Sequence, residues 1–282
     1  MSDGSPIAAV VVLYRPGRDL LDGIRSYLDQ VEIVYAVDNT EQPDCCTEEQ
    51  LALLERVVYL PNRDNLGIAR ALNIGARHAL EAGYRLLLTM DQDSQAAPDM
   101  VARLYECLEK TGEERVGIVA PFHLTGAGRI PPDVDYSDVM TPMTSGCLLN
   151  LAAYRQVGPF DDGLFIDFVD NEFCLRLRKQ GWQVLRANRA TLAHNVGDIR
   201  KYGPFIATNH GPLRRYYKTR NRFAVFNRYV TSFPGHCLFD LVRLTKEIAS
   251  IVLFEDQKWS KLCMMWRGFT DFLRGVRGRY AG

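Results

Sequence analysis

The sequence predicts an α/β protein with a mainly parallel central sheet flanked by helices, followed by a helical C-terminal extension. Three observations lead there. Short apolar runs alternate with helical patterns through the first 120 residues. Two of those runs end on aspartate at a turn. From Gly203 onward the pattern is mostly helical. Strands separated by helices imply βαβ units, and such units make parallel sheets.

Ile7–Tyr14 reads as the first strand, broken by Pro16 and Gly17. Asp19–Leu28 has helical spacing. Glu32–Val37 is a second apolar run, closed by the turn-forming cluster Asp38-Asn39-Thr40. Val57–Leu60 is a third strand. Gly67–Ala82 carries Ala and Leu at helical spacing, with Gly83 just past its end. Arg85–Met90 is a fourth strand, Pro98–Lys110 a helix with proline at its start, and Val116–Ala120 a fifth strand. The middle is less regular. Gly126–Asp138 reads as a loop and Met143–Asn150 as a strand. Asp170–Gln180 reads as a helix, and Trp182–Ala187 and Thr191–Ala193 as short strands.

Ligands of open α/β sheets bind beyond the carboxyl ends of the strands. Asp38 and Asp91 end two predicted strands, so they are expected on one rim, with carboxylates open to a ligand rather than buried.

The 282 residues allow one large domain or a domain with an appended lobe. No apolar run approaches the ~20 residues of a spanning helix. The opening MSDGSPIAAVVV lacks the basic start of a signal peptide. Seven cysteines, an odd number without a CxxC pair, suggest reduced cytosolic thiols and no structural zinc. The net charge of zero conceals a split. Residues 1–210 hold 20 Lys+Arg and 29 Asp+Glu, while 211–282 hold 14 and 5. Either the basic tail meets an anionic partner or it docks on the acidic body.

Four stretches carry chemistry. Asp91-Gln92-Asp93 puts two carboxylates one residue apart at a turn, which suits a divalent cation sharing its shell with phosphates. The alternative is an ordinary acidic surface turn. In NLGIARALNIGA (65–76), Gly67 opens a helix and Arg70 lies one turn in, a combination that suits a diphosphate. No GxGxxG follows the first strand, which argues against a dinucleotide enzyme, and no P-loop signature occurs. FDDGLFIDFVDNEFCLRLRKQGW (160–182) sets Asp161, Asp162, Asp167, Asp170 and Glu172 among phenylalanines. Partial desolvation there would raise a carboxyl pKa and make a general base, while Asp170 also suits a helix N-cap. RRYYKTRNRFAVFNR (214–228) has six Lys/Arg, no acid and four aromatics. It fits phosphates or an anionic membrane surface; no nucleic-acid motif accompanies it. His194, after Thr191–Ala193, is a third metal-ligand candidate or a structural histidine. Beyond residue 230, apolar and basic residues recur at helical spacing, as in interfacial helices and in helices packed on a core.

Together these stretches resemble a family 2 glycosyltransferase of the GT-A fold, most of all the bacterial rhamnosyltransferases of cell-surface polysaccharide assembly. The matching pieces are AAVVVLYRP, VDNT, NLGIARALNIGARHA, TMDQDS, SGCLLN, FIDFVDNEFCLRLRKQGW and RRYYKTRNR, in the family's order across about 7–228. The resemblance implies a domain over 1–230, with a nucleotide half (1–120) and an acceptor half (121–230), and a basic amphipathic extension over 231–282.

It also implies roles. Leu13, Tyr14 and Arg15 would border the nucleotide base, and Asp38, with Asn39 beside it, would hydrogen-bond it. Gly67 and Arg70 would lie near the diphosphate. Asp91 and Gln92 would sit by the ribose or the metal's waters, and Asp93 would bind Mg²⁺ or Mn²⁺, with His194 near the metal or the leaving diphosphate. Asp170 would be the general base. Where many members have Glu-Asp there, this chain has Val169-Asp170, so Asp167 is a rival. Asp167, Arg214 and Arg215 are candidates for an acceptor or phosphate contact.

The implied activity is inverting transfer of L-rhamnose from dTDP-L-rhamnose to a saccharide hydroxyl in O-antigen, capsule or lipopolysaccharide core assembly. The implied location is the cytoplasm, in peripheral contact with the inner membrane, with an acceptor that can be lipid-linked. Alternatives are a transferase using a UDP-sugar and a non-catalytic glycan- or membrane-associated module of the same fold. A pyrophosphorylase would need a Gly-rich, Arg-containing signature after the first strand, and a processive synthase would need QxxRW and spanning helices; neither is found.

Overall fold

The structure is a computed structural model that describes residues 6–124, 130–194, 200–202, 205–207 and 209–282, with the side chains of 194, 200–202 and 205–207 left undescribed. The chain forms two compact units, 1–162 with 173–195, and 163–172 with 196–282.

In the first unit, β1 (Ile7–Leu13) is buried at every position. An unbroken apolar run suits a central strand covered on both faces, where each enclosed Val or Leu contributes about 1.5–3 kcal/mol. β1 pairs in parallel with β2 (Ile33–Asp38) on one side and β4 (Leu86–Asp91) on the other. β2 in turn pairs with β3 (Val57–Pro61), also in parallel. Three helices complete these crossovers: α1 (Leu20–Leu28), α2 (Cys45–Ala52) and α3 (Ile68–Glu81). α2 lies where no helix is expected from the sequence; its apolar face is reduced to one buried residue, Leu51.

Past β4 the sheet becomes mixed. After β5 (Ser94–Ala96), α4 (Met100–Thr111), β6 (Val116–Leu124) and β7 (Tyr136–Asp138) comes β8 (Cys147–Asn150). β8 runs antiparallel between β4 and β6. α5 (Leu151–Val157) and α6 (Val169–Lys179) precede β9 (Gln183–His194). β9 is one strand where two short ones are expected. Its register against β6 shifts between Pro121 and Phe122, opposite residues 188–190. Buried Asn188 stabilises the irregularity, donating to the Val134 carbonyl (3.0 Å) and to Ser137 Oγ (2.8 Å). The sheet order is β3-β2-β1-β4-β8-β6-β9-β5, with β7 on β9.

The second unit contains the hairpin β10 (Arg200–Tyr202) and β11 (Phe205–Ala207), of which β11 lies past Gly203, where the pattern predicts mostly helix. Three helices follow, α7 (Pro212–Tyr229), α8 (Pro234–Phe254) and α9 (Lys258–Leu273). α9 approaches α7 so closely that a Cβ on Gly268 would lie 2.5 Å from the Tyr216 carbonyl oxygen. This grouping of α7 with α8 and α9 differs from the sequence boundary at residue 230. Among the described residues no helix is long and apolar enough to cross a membrane, and the seven cysteines are free thiols.

Candidate active site

The carboxyl rim of the parallel strands is built by register. Leu13 is paired with Asp38, and Val12 with Asp91. The chain leaves β1 between them, and neighbouring strands are reached on opposite sides, so a crevice opens there.

The residues at this rim divide into framework and surface, which corrects part of the expectation. Asp38 is fully buried. Its Oδ1 accepts from the Thr40 amide (2.8 Å) and its Oδ2 from the Tyr59 hydroxyl (2.7 Å). Burial and the Asp38 carboxylate push the Tyr59 phenol well above its ordinary pKa. A carboxylate open to a ligand is therefore not found at Asp38; a neighbouring strand supplies a tyrosine to meet it. Asn39 is likewise buried, donating to the Gly67 carbonyl (3.1 Å) and accepting from Asn62 (2.8 Å). Leu13 is fully buried in the apolar core. Gly67 caps α3 with φ of 84°, a conformation that favours glycine.

The open surface comes from Tyr14, Arg15, Arg70 and Asp93, all exposed, and from half-buried Asp91 and Gln92. Gln92 acts like a strand partner. Its Oε1 accepts from the Tyr14 amide (2.8 Å) and its Nε2 donates to the Tyr14 carbonyl (3.3 Å). The end of β1 is thus tied to the acidic turn. The Arg15 amide donates to Thr40 Oγ1 (2.8 Å), and its guanidinium pairs with Glu41. A backbone hydrogen bond, with Arg15 alongside, holds the Glu41 carboxyl below its usual range.

The acidic turn rests on a hydroxyl scaffold. Ser145 Oγ accepts from the Asp91 amide (3.0 Å) and lies 2.8 Å from Ser94 Oγ. The Ser145 carbonyl is 2.8 Å from His123 Nε2, and Thr89 donates to the Thr144 carbonyl (2.6 Å). Ser145 lies within SGCLLN, yet no local pattern announces a support supplied from 54 residues away. Asp93 borders a groove of about 520 Å³ lined also by Gly17, Asp19, Gln92 and Gln95. The backbone of His194 pairs with Ser94, beside this turn, while its side chain lies outside the described residues.

The donor set tests the expected metal. Two carboxylates one residue apart, one exposed and one half-buried, are the hard oxygen ligands that Mg²⁺ or Mn²⁺ takes. Among the described residues, the only group of three close enough to share an ion is Asp44-Cys45-Cys46, three consecutive exposed residues.

The second unit holds the other predicted residues. α6 begins at Val169, so Asp170 is in its first turn rather than at its cap. Asp170 is half-buried, and its Oδ1 accepts from the Asn171 amide (2.8 Å). The preceding loop is strained: Phe165, Asp167 and Phe168 have φ of 66°, 60° and 65°. Each such non-glycine residue costs about 1–3 kcal/mol. RRYYKTRNR supplies the brace. Buried Asn221 reaches the carbonyls of Leu164, Ile166 and Asp167 at 2.8–2.9 Å. Arg220 donates to the carbonyls of Gly163, Leu164 and Gly278. Arg214 forks onto the Asp167 carboxylate at 3.2–3.3 Å.

Arg215 is corrected as a phosphate contact. It is buried, bonded to Glu247 and, at 2.6 and 2.9 Å, to Glu255. Lys218 and Arg222 also bind Glu247, and Lys261 binds Glu255. Arg228 and Tyr229 both donate to buried Glu172.

Residues 9–151, about half of the chain, match the family model for glycosyl transferase family 2. The chain belongs to glycosyl transferase family 2. This family 2 chain is 29% identical over 299 aligned positions to the dTDP-rhamnosyl transferase RfbF of Shigella flexneri, covering 99% of this chain and 98% of that one. Among solved structures it resembles GalNAc-T7, determined with UDP, GalNAc and Mn²⁺ (TM-score 0.63, 12% identity, 98% of this chain and 57% of that one). It also resembles TarS of S. aureus (TM-score 0.61, 12% identity, 96% and 49%). The family 2 chain spans about half the length of these two structures, and the likeness establishes the α/β GT-A fold.

Proposed function

We propose that the chain transfers L-rhamnose from dTDP-L-rhamnose to a hydroxyl of a saccharide acceptor in surface polysaccharide assembly, with inversion at the anomeric carbon. The observation that carries this reading is the end-to-end likeness to a dTDP-rhamnosyl transferase. The acidic turn at the end of β4 and the open rim beside it support it chemically.

Tyr14, Arg15, Gln92 and Arg70 offer exposed or half-exposed groups to the nucleotide and diphosphate, while Asp38, Asn39 and Gly67 form the framework beneath. Asp91 and Asp93 would hold Mg²⁺ or Mn²⁺, with His194 as the third ligand. What a divalent cation supplies there is neutralisation of charge on the departing diphosphate. Asp170 takes the proton of the acceptor hydroxyl while that oxygen forms its bond to the anomeric carbon. The bond from that carbon to phosphate breaks on the opposite face, and the nucleoside diphosphate leaves with the electron pair. Asp167, fixed by Arg214, is suited to an acceptor hydroxyl rather than to the proton transfer. The acceptor in this reading is lipid-linked and met at the cytoplasmic face of the inner membrane.

A thermal-shift series with dTDP, UDP and GDP, each with and without Mn²⁺, tests the donor. The expected result is stabilisation by dTDP above the other two, enhanced by Mn²⁺. A response to UDP alone replaces the donor; no response to any nucleotide overturns the proposal.

A further inference from the structure

α8 and α9 turn apolar side chains outward. Of the nineteen large apolar side chains exposed among the described residues, eleven lie in 234–282. On α8 the inward face is Cys237, Leu244 and Ile251. The opposite face shows Leu238, Phe239, Val242, Val252 and Leu253 to solvent. On α9, Trp259 (82% exposed), Trp266 (67%) and Leu273 (66%) recur every two turns, opposite buried Lys261, Met265 and Gly268. Isolated exposed apolar residues are ordinary, but two helices that both reverse the usual arrangement mark an interaction surface.

The charges select the partner. Four of the five acids in 234–282 point inward at cations of their own unit. Asp240 binds Arg222, Glu247 binds Arg215 and Lys218, Glu255 binds Lys261, and Asp271 meets Tyr216 and Arg267. Only Asp256 among them is exposed. Arg243 and Lys246 on α8 and Lys258 on α9 are exposed, as are Arg267 and Arg274, which pair with Asp271. Arg243 lies over the Phe239 ring at 4.9 Å, its cation beside the apolar surface. The buried ionic network therefore leaves an outer face that is apolar with a cationic rim. Tryptophan prefers the water–hydrocarbon boundary, and Lys and Arg favour anionic headgroups.

We infer that the outward faces of α8 and α9 seat the enzyme on an anionic phospholipid surface, without spanning it. The inference deepens the reading of a lipid-linked acceptor by naming the face that reaches the lipid, yet its test needs neither donor nor acceptor. The full chain is floated with vesicles of phosphatidylcholine alone and of phosphatidylcholine with phosphatidylglycerol. Tryptophan emission is recorded in parallel, and oligomeric state is measured without lipid. Expected are flotation with the anionic vesicles, weakening with added salt, and a blue shift of emission. Trp259→Gln with Trp266→Gln abolishes the shift, and Lys246→Glu with Lys258→Glu lowers partitioning by at least about tenfold. Both pairs are exposed, so unchanged melting separates lost binding from lost folding. No flotation with anionic vesicles overturns the inference. So does binding unaffected by either variant, or a dimer that the tryptophan substitutions dissolve, since the face then belongs to a second copy.

Discussion

Asp38, Asp91 and Asp93 are the same residue type near the ends of parallel strands, yet only the latter two remain accessible. Asp38 meets Tyr59 and the Thr40 amide and becomes framework. Asp93→Ala is therefore expected to abolish the Mn²⁺-dependent part of nucleotide stabilisation, read by thermal shift. Asp170→Asn is expected to lower kcat by about 10²–10⁴ while donor binding survives, the signature of a lost general base. Asn221 spends its side-chain amide on the carbonyls of Leu164, Ile166 and Asp167. It holds the strained segment leading to Asp170, with Asp167 and Phe168 at positive φ. Asn221→Ala should lower kcat by about 10²-fold through misplacement, with little change in donor KM. A uniform loss of folded protein would instead show that the brace serves stability alone. Sequence reading found these acids by type and position; it could not find Ser145 or Asn221, because their partners are remote in the chain.

Gly268 shows how an element depends on one missing atom. A Cβ there would sit 2.5 Å from the backbone oxygen of Tyr216, which has no rotamer with which to retreat. Gly268→Ala should push α9 from α7 and destabilise by about 1–3 kcal/mol, measured by denaturant unfolding. The helices and strands of the first 120 residues were legible because apolar periodicity is local; β1, α1, α3 and β4 fall within two residues of their expected limits. α2 and β5 were not. The first has almost no apolar face, and β5 is three residues long, defined only by pairing with β9. β9 reads as two strands because the interruption at 188–190 breaks its alternation; pairing with β6 on both sides makes it one.

Across the whole molecule, the net charge of zero conceals a basic tail whose cations are largely paired within their own unit. This gives a pH dependence. Burial, with Arg214, Lys218 and Arg215 near, depresses His210 to about 3. Burial alone would raise Glu247, but Lys218, Arg222 and Arg215 outweigh it and hold the carboxyl at about 2. Both groups bind protons more readily in the unfolded chain. Stability should therefore be full above about pH 6.5 and fall with acid, first through His210 and then through Glu247 below about pH 4.5. Melting temperature against pH measures this, and His210→Gln should flatten the upper part of the decline. Arg215→Ala should cost about 3–5 kcal/mol, because it leaves Glu247 and Glu255 carboxylates buried with fewer cations.

By itself the sequence determined the βαβ start, the acidic turn after β4, the family likeness and the sign of charge in the tail. Each is a property of local order or composition. The tertiary structure alone decided which carboxylates stay open, that Arg215 is a core cation, and that RRYYKTRNR braces a strained loop. It also decided that α8 and α9 face apolar residues outward. Exposure and pairing depend on neighbours distant in the chain, and a helical stripe looks the same in sequence whether it turns toward a core or toward solvent.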